Sequence, residues 1–296
     1  MTTTNAMQVT AVQPGPVRRL QAMLHRRPGT RVAGLLALPM TWMVLVYLAP
    51  LALLFVTAFW TTDSFTGLVV RDFSLDNFQE IVTEPAYRRV VVRTVSIAAL
   101  VTLLCTAIGL PMAFFMARVA TARWQPLLVA LVLTPLWASY LVKVYAWRTI
   151  LAPGGPGEGL VGATLGYGLP AVVLVLTYLW LPYMILPIYA GLSAMRGSYL
   201  EAAADLGARP WRTFRSVVMP LIWPSIVAGS IFTFSLSLGD YITVQLVGGS
   251  SLMLGNAIYQ NFSVSLPFAA ALATVPVIVM VGYLLAARRT GALDNL

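Results

Sequence analysis

Few residues in this chain could do chemistry. Its 296 residues include ten acids, one histidine (His25) and one cysteine (Cys105). No His, Cys and carboxylate grouping occurs, nor any phosphate-cradling glycine loop or nucleophile elbow. The chain is therefore expected to catalyse nothing, to bind no cofactor or metal, and to form no internal disulfide. Two clusters remain. One gathers Glu201, Asp205, Arg209, Arg212 and Arg215 into a single polar stretch, and the other sets Asp240 beside Tyr241 at the end of an apolar run. A carboxylate with aromatic faces suits a cation, because an ammonium group that loses water must regain charge or cation–π contact. Tyr140, Tyr145, Trp147, Trp180 and Tyr183 are the aromatics that could line such a path with Asp240 and Tyr241. The same aromatics also suit an interfacial belt, and Asp240 also suits a helix end at the water interface. Lys143 would oppose a cation if it faced inward, so it is expected to face a partner, lipid headgroups or an acid.

The elements that must position these residues are set by composition. The chain is 59% hydrophobic and 10% charged, whereas a soluble domain carries about 25% charged residues. A bilayer span needs roughly 20 consecutive apolar residues. Six intervals qualify: Val32–Thr62, Thr94–Ala117, Trp124–Val142, Leu169–Leu192, Ser216–Gly239, and the end of Tyr241–Ala287, where LVGGSSLMLGN reads as loop and PFAAALATVPVIVMVGYLLAA as span. Prolines at 111, 135, 182, 187 and 276 predict kinks. The expected fold is all-α, six transmembrane helices in one domain over residues 32–296, with room for a short helix in the outer segment from Thr61 to Arg88.

Basic residues stay on the cytoplasmic side. With the N-terminus inside, the inner segments hold 13 of the 19 basic residues and three acids, and the outer segments six bases and seven acids. This asymmetry accounts for a pI near 10.1 without invoking nucleic acid. Residues 1–31 are too long and polar for the start of a cleaved signal and read as a basic cytoplasmic tail, with both termini inside.

The stretch MRGSYLEAAADLGARPWRTFRSVVMPLIWPSI lies between the fourth and fifth spans, on the inner side. Ser198 and Glu201 have capping-box spacing, the three alanines 202–204 favour helix, Gly207 supplies a left-handed stop and Pro210 suits the first turn of a second helix. A helix this short is marginal in water and needs something to hold it. Read locally, it is equally a well-capped connection. Glu201, Ala202, Ala203, Gly207 and Pro220, at their spacing, resemble the EAA motif of binding-protein-dependent ABC importer permeases, with Val217 and Met219 in place of the usual Ile and Leu. The resemblance spans about Thr94 to Leu285 and implies a type I ABC importer permease fold. It makes residues 196–217 the coupling helix region, in which Glu201, Ala202, Ala203, Asp205, Gly207 and Arg212 meet the ATPase. It further implies a bacterial inner-membrane location, a second permease subunit (a heterodimer), two cytoplasmic ATPase subunits that bind ATP–Mg, and an extracytoplasmic solute-binding protein.

FSLDNFQEI, YLVKVYAWRTIL and SLGDYITVQLVGGSSLMLGNAIYQNF are similar to segments of the spermidine/putrescine permease subfamily, with Gly239, Asp240, Gly248, Gly249 and Gly255 at its usual positions. That resemblance implies polyamine import. Permeases for aminoethylphosphonate, ferric iron or other small solutes share much of the pattern. An ion-coupled secondary transporter is the rival mechanism, but it usually needs ionisable residues inside its spans and paired repeats.

Overall fold

The computed structural model describes residues 28–63, 65–161 and 166–291. The basic tail expected over residues 1–31, His25 included, lies outside the described residues as far as residue 27. The chain divides after Val56 into two units. The first carries nearly all of α1 (Leu35–Thr57), an uninterrupted apolar helix. Its turn at Val44–Leu48 is a π-helix, closed by the Ala49 N–H on the Val44 carbonyl just before Pro50. A proline cannot donate a hydrogen bond, and its ring crowds the carbonyl four residues back. The widened turn makes room for the ring while the residue before it keeps a bond.

The second unit opens with a two-stranded antiparallel hairpin, β1 (Thr61–Thr62) and β2 (Val69–Val70), with Thr61 opposite Val70. Hydropathy gave no hint of it. Asp63 shapes the turn by accepting from the Thr66 N–H (2.7 Å), the Thr66 hydroxyl (2.9 Å) and the Phe65 N–H (2.9 Å). Those donors hold its carboxyl below the usual range. The short helix expected in this segment is α2 (Asp76–Thr83), and Asn77 ties it to the carbonyls of Ala58 and Trp60.

The remaining helices follow in chain order: α3 (Pro85–Val119), α4 (Gln125–Trp137), α5 (Tyr140–Leu151), α6 (Pro156–Val161), α7 (Leu169–Ala194), α8 (Ser198–Asp205), α9 (Pro210–Leu238), α10 (Ile242–Val247), α11 (Leu254–Phe262) and α12 (Leu266–Arg289). Among the described residues five helices are long and apolar enough to cross a membrane, or six spans if α4 and α5 count as one. Three expectations are corrected. The second helix begins at Pro85, well before Thr94, because proline at a first turn starts a helix and the apolar face continues between Arg88, Arg89 and Arg93. The third span is no single helix: Ala138 and Ser139 are extended, and α4 and α5 meet at 89°. The stretch LVGGSSLMLGN is loop only in its centre, since α10 runs to Val247 and α11 starts at Leu254.

The core is the mutual packing of α3, α7 and α9. Val101 and Cys105 from α3, Leu176, Met184 and Ile188 from α7, and Ile222 from α9 are fully buried. Backbones come close where side chains are absent. A Cβ on Gly229 of α9 would lie 2.8 Å from Met184 Sδ and 3.2 Å from Met184 Cα. A second cluster joins α2, α11 and α12 through Ile81, Leu254, Phe268 and Leu272, and Tyr87 meets Phe268 edge-on at 5.0 Å.

Candidate functional site

The loop between α7 and α9 holds α8, eight residues of SYLEAAAD. The expected capping box does not form. The helix starts one residue early, with Gly197 as its N-cap, and the Glu201 N–H that a Ser198 cap would use is taken by the Gly197 carbonyl at 3.2 Å. The Glu201 carboxylate still folds toward the helix start, with Oε1 4.0 Å from the place of a Cβ on Gly197, where negative charge meets the positive end of the helix dipole. The stop is as expected. Gly207 has φ +72°, its N–H bonds the Ala204 carbonyl (2.8 Å), and the Ala208 N–H bonds that of Ala203 (3.0 Å). That pair of bonds is a Schellman closure, which needs a left-handed residue at this position.

Ala203 alone of the expected coupling residues is buried; Glu201, Ala202, Asp205, Gly207 and Arg212 are exposed. Apolar side chains are exposed beside them: Leu206 at 88%, Trp211 at 70%, and Tyr199. The helix and the turn after it thus present polar and apolar groups side by side to the surroundings. From Pro210 the chain continues as α9, one helix of 29 residues, roughly 40 Å at 1.5 Å per residue. Its early turn Phe214–Val218 is again a π-helix, just before Pro220, with the Met219 N–H on the Phe214 carbonyl. The loop and the far end of α9 are therefore joined by one rod.

At that far end Asp240 is buried, 7% exposed. The Tyr140 hydroxyl donates to its Oδ2, the Thr243 N–H to Oδ1 at 2.9 Å and the Thr243 hydroxyl to Oδ2 at 3.2 Å. The bond to Thr243 satisfies an orphan amide in the first turn of α10. Tyr140, Trp180, Ser235, Leu236, Gly239, Asp240, Tyr241 and Ile242 line a cavity of about 370 Å³. Tyr140 stacks on Trp180 at 6.0 Å, Trp180 meets Tyr183 at 5.8 Å, and Tyr241 stacks on Tyr259 at 5.3 Å.

The structure thus brings together Asp240, Tyr241 and Trp180, with Tyr183 behind Trp180. It leaves out Trp147, which packs on Tyr178 at 5.4 Å, and Tyr145, which is exposed. Lys143 is half-buried on α5. Thr243 was not anticipated, although Asp followed three residues later by Thr at a helix start is a legible capping signal.

The break before Tyr140 bears on the same place. Non-helical backbone at membrane depth is tolerated only where protein covers it or it lines a water-filled cavity. Trp137 is 87% exposed, and Ala138 and Ser139 are exposed as well. This side of α4 and α5 therefore suits either a covering protein surface or the wall of a water-filled path.

Apolar helices around a buried polar turn, with an exposed helical loop at the other end of the 29-residue α9, define a multi-pass membrane transport subunit. The chain belongs to the family of binding-protein-dependent transport system inner membrane components, which it matches over residues 29–290. It is 39% identical over 305 residues to the inner membrane ABC transporter permease protein YdcU of Escherichia coli K12, covering 96% of this chain and 97% of that protein. It is 32% identical over 267 residues to the spermidine/putrescine transport system permease protein PotB of the same strain, covering 86% and 95%. Among solved structures, a bacterial ABC transporter that imports the acidic polysaccharide alginate superposes over 92% of this chain and 99% of its own with a TM-score of 0.69, at 15% identity. The fold is that of ABC importer permeases, and the protein is a multi-pass component of the inner membrane. Family membership implies a companion permease, an ATPase and a binding protein.

Proposed function

We propose that this chain forms half of the path of an ATP-driven importer for polyamines of the spermidine and putrescine class. The observation that carries the substrate class is the cavity at the end of α9, where the Asp240 carboxylate sits among Tyr140, Trp180 and Tyr241. At about 370 Å³ it falls within the range of roughly 300–1,000 Å³ found for small-molecule sites. A carboxylate and aromatic faces replace the hydration that an ammonium group loses. The likeness to PotB supports the same class.

In this reading α8 docks on a cytoplasmic ATPase through Glu201, Ala202, Ala203, Asp205, Gly207 and Arg212. Two such ATPase subunits bind ATP–Mg, and this chain binds no nucleotide or metal. A second, distinct permease covers the exposed break between α4 and α5. A binding protein delivers solute on the outer side, and both termini lie in the cytoplasm. ATP-driven closure of the ATPases is transmitted along α9 and turns the path outward.

The test is spermidine and putrescine uptake by the assembled transporter, with Asp240→Asn and Tyr140→Phe compared. Saturable spermidine uptake that putrescine competes is the expected result. Asp240→Asn removes the charge a cation meets, whereas Tyr140→Phe keeps the charge and removes one donor. Uptake should therefore fall roughly tenfold or more in the first and by less than half that factor in the second. Equal losses would make Asp240 a residue of the turn alone. An assembled, ATP-hydrolysing complex that ignores polyamines would move the substrate to aminoethylphosphonate, ferric iron or another small solute.

A further inference from the structure

We infer that the end of α3, through Arg118 and Phe114, is a brace that fixes both flanks of α8, and that Arg118 is a positioning residue for coupling. The inference rests on the reading of α8 as the ATPase-docking helix. A helix of eight residues has little stability of its own, so its position depends on what holds its neighbours. The Schellman closure fixes only its internal geometry.

Arg118 lies in the π-turn Phe115–Val119 that ends α3. Its Nη2 donates to the Leu192 carbonyl and, at 2.6 Å, to the Met195 carbonyl. These belong to the last turn of α7 and the residue after it, three positions before α8 begins. Carbonyls at a helix end lack helical donors, and a cation there also meets the negative end of the dipole. Arg118 Nε is buried with no partner of its own, so the guanidinium is committed to this contact rather than free to follow solvent.

One turn earlier on α3, Phe114 meets Phe214 edge-on at 5.9 Å, and Phe214 stacks on Trp211 at 5.8 Å. Both partners lie in the first turns of α9, just after the loop. Leu200 and Ala203 turn inward from α8 itself, Leu200 onto the main core. The end of α3 thus grips the residues that enter α8 and those that leave it. A push on α8 then reaches α3 and α9 together, instead of bending the loop.

The readout is ATP consumed per solute imported, measured in proteoliposomes holding the complete complex, with Arg118→Ala, Arg118→Lys and Glu201→Arg in parallel. Loss of a charged hydrogen bond should raise that ratio roughly tenfold in Arg118→Ala. Arg118→Lys, which keeps a charged donor, should recover part of it. A purely structural role would lower the yield of complex and leave the ratio unchanged. Wild-type stoichiometry in intact Arg118→Ala complexes would overturn the brace. If Arg118→Ala does not assemble, Arg118→Gln decides in the same way, a raised ratio supporting the brace and an unchanged one refuting it. Uncoupling by Glu201→Arg together with unaffected Arg118 variants would remove the brace alone. Normal coupling in Glu201→Arg would instead remove the docking role of α8.

Discussion

Glu201→Arg is expected to yield a complex that assembles but imports almost nothing. The capping box is not formed, so the substitution cannot break it. Reversing a charge at the start of α8 costs that helix about 1 kcal/mol through the dipole. That loss is too small to unfold a loop closed by the Gly207 turn and held by buried Ala203. An exposed carboxylate that meets a partner's cation is worth more, about 2–5 kcal/mol once one side of a buried charged pair is lost. Uptake should therefore fall roughly thirtyfold or more, with the solute-stimulated part of ATP hydrolysis lost alongside it. Uptake and stimulated hydrolysis at wild-type levels would show that Glu201 faces no partner.

The other large effect lies in the core. Gly229 stands where α9 crosses α7, and a Cβ there would sit 3.2 Å from Met184 Cα and 3.3 Å from its carbonyl oxygen. A flexible side chain could move aside, but a helix backbone cannot without parting the two helices. Gly229→Ala should cost about 1–3 kcal/mol by overpacking. Gly229→Leu should give no folded complex, seen as loss of the monodisperse peak in size-exclusion chromatography and of a cooperative thermal transition. A Gly229→Leu complex with wild-type thermal stability would mean that α7 and α9 do not pack in this register.

How much of this could be read from residues depends on how local each signal is. Apolar runs located the five long helices, because charge avoidance over some twenty positions is a one-dimensional property. Direction is not. The 89° bend at Ala138 and Ser139 sits inside an uncharged run that hydropathy cannot divide. The π-turns ahead of Pro50 and Pro220 had a visible cause in the prolines, but the accommodation is a choice the backbone makes among kinks and widened turns. The loop around Glu201 was legible in its alanines, its glycine stop and Pro210, and it misled only at the start, where Gly197 takes the cap that Ser198 matches in pattern.

The polar turn was half legible. Asp240 stood out because acids beside spans are scarce, and its neighbour Thr243 fitted a capping rule, but Tyr140 lies 100 residues away on a helix whose orientation follows from the break. Tyr145 and Trp147 share that helix with Tyr140, and only three-dimensional packing separates the ring in the cavity from the exposed one. In the sequence Arg118 is one of the thirteen basic residues on the inner side and nothing more. Its carbonyl partners are 74 and 77 positions along the chain, beyond any local rule.

In this reading ATP hydrolysed by a cytoplasmic partner drives this chain through α8. It is tested most directly by spermidine uptake into proteoliposomes that hold the complete complex, with ATP on the side of α8 and the binding protein on the other. The account predicts accumulation that requires both, that a proton or sodium gradient cannot replace, and that Glu201→Arg abolishes. Accumulation driven by an ion gradient in the absence of ATP would contradict it and make the chain part of a secondary transporter.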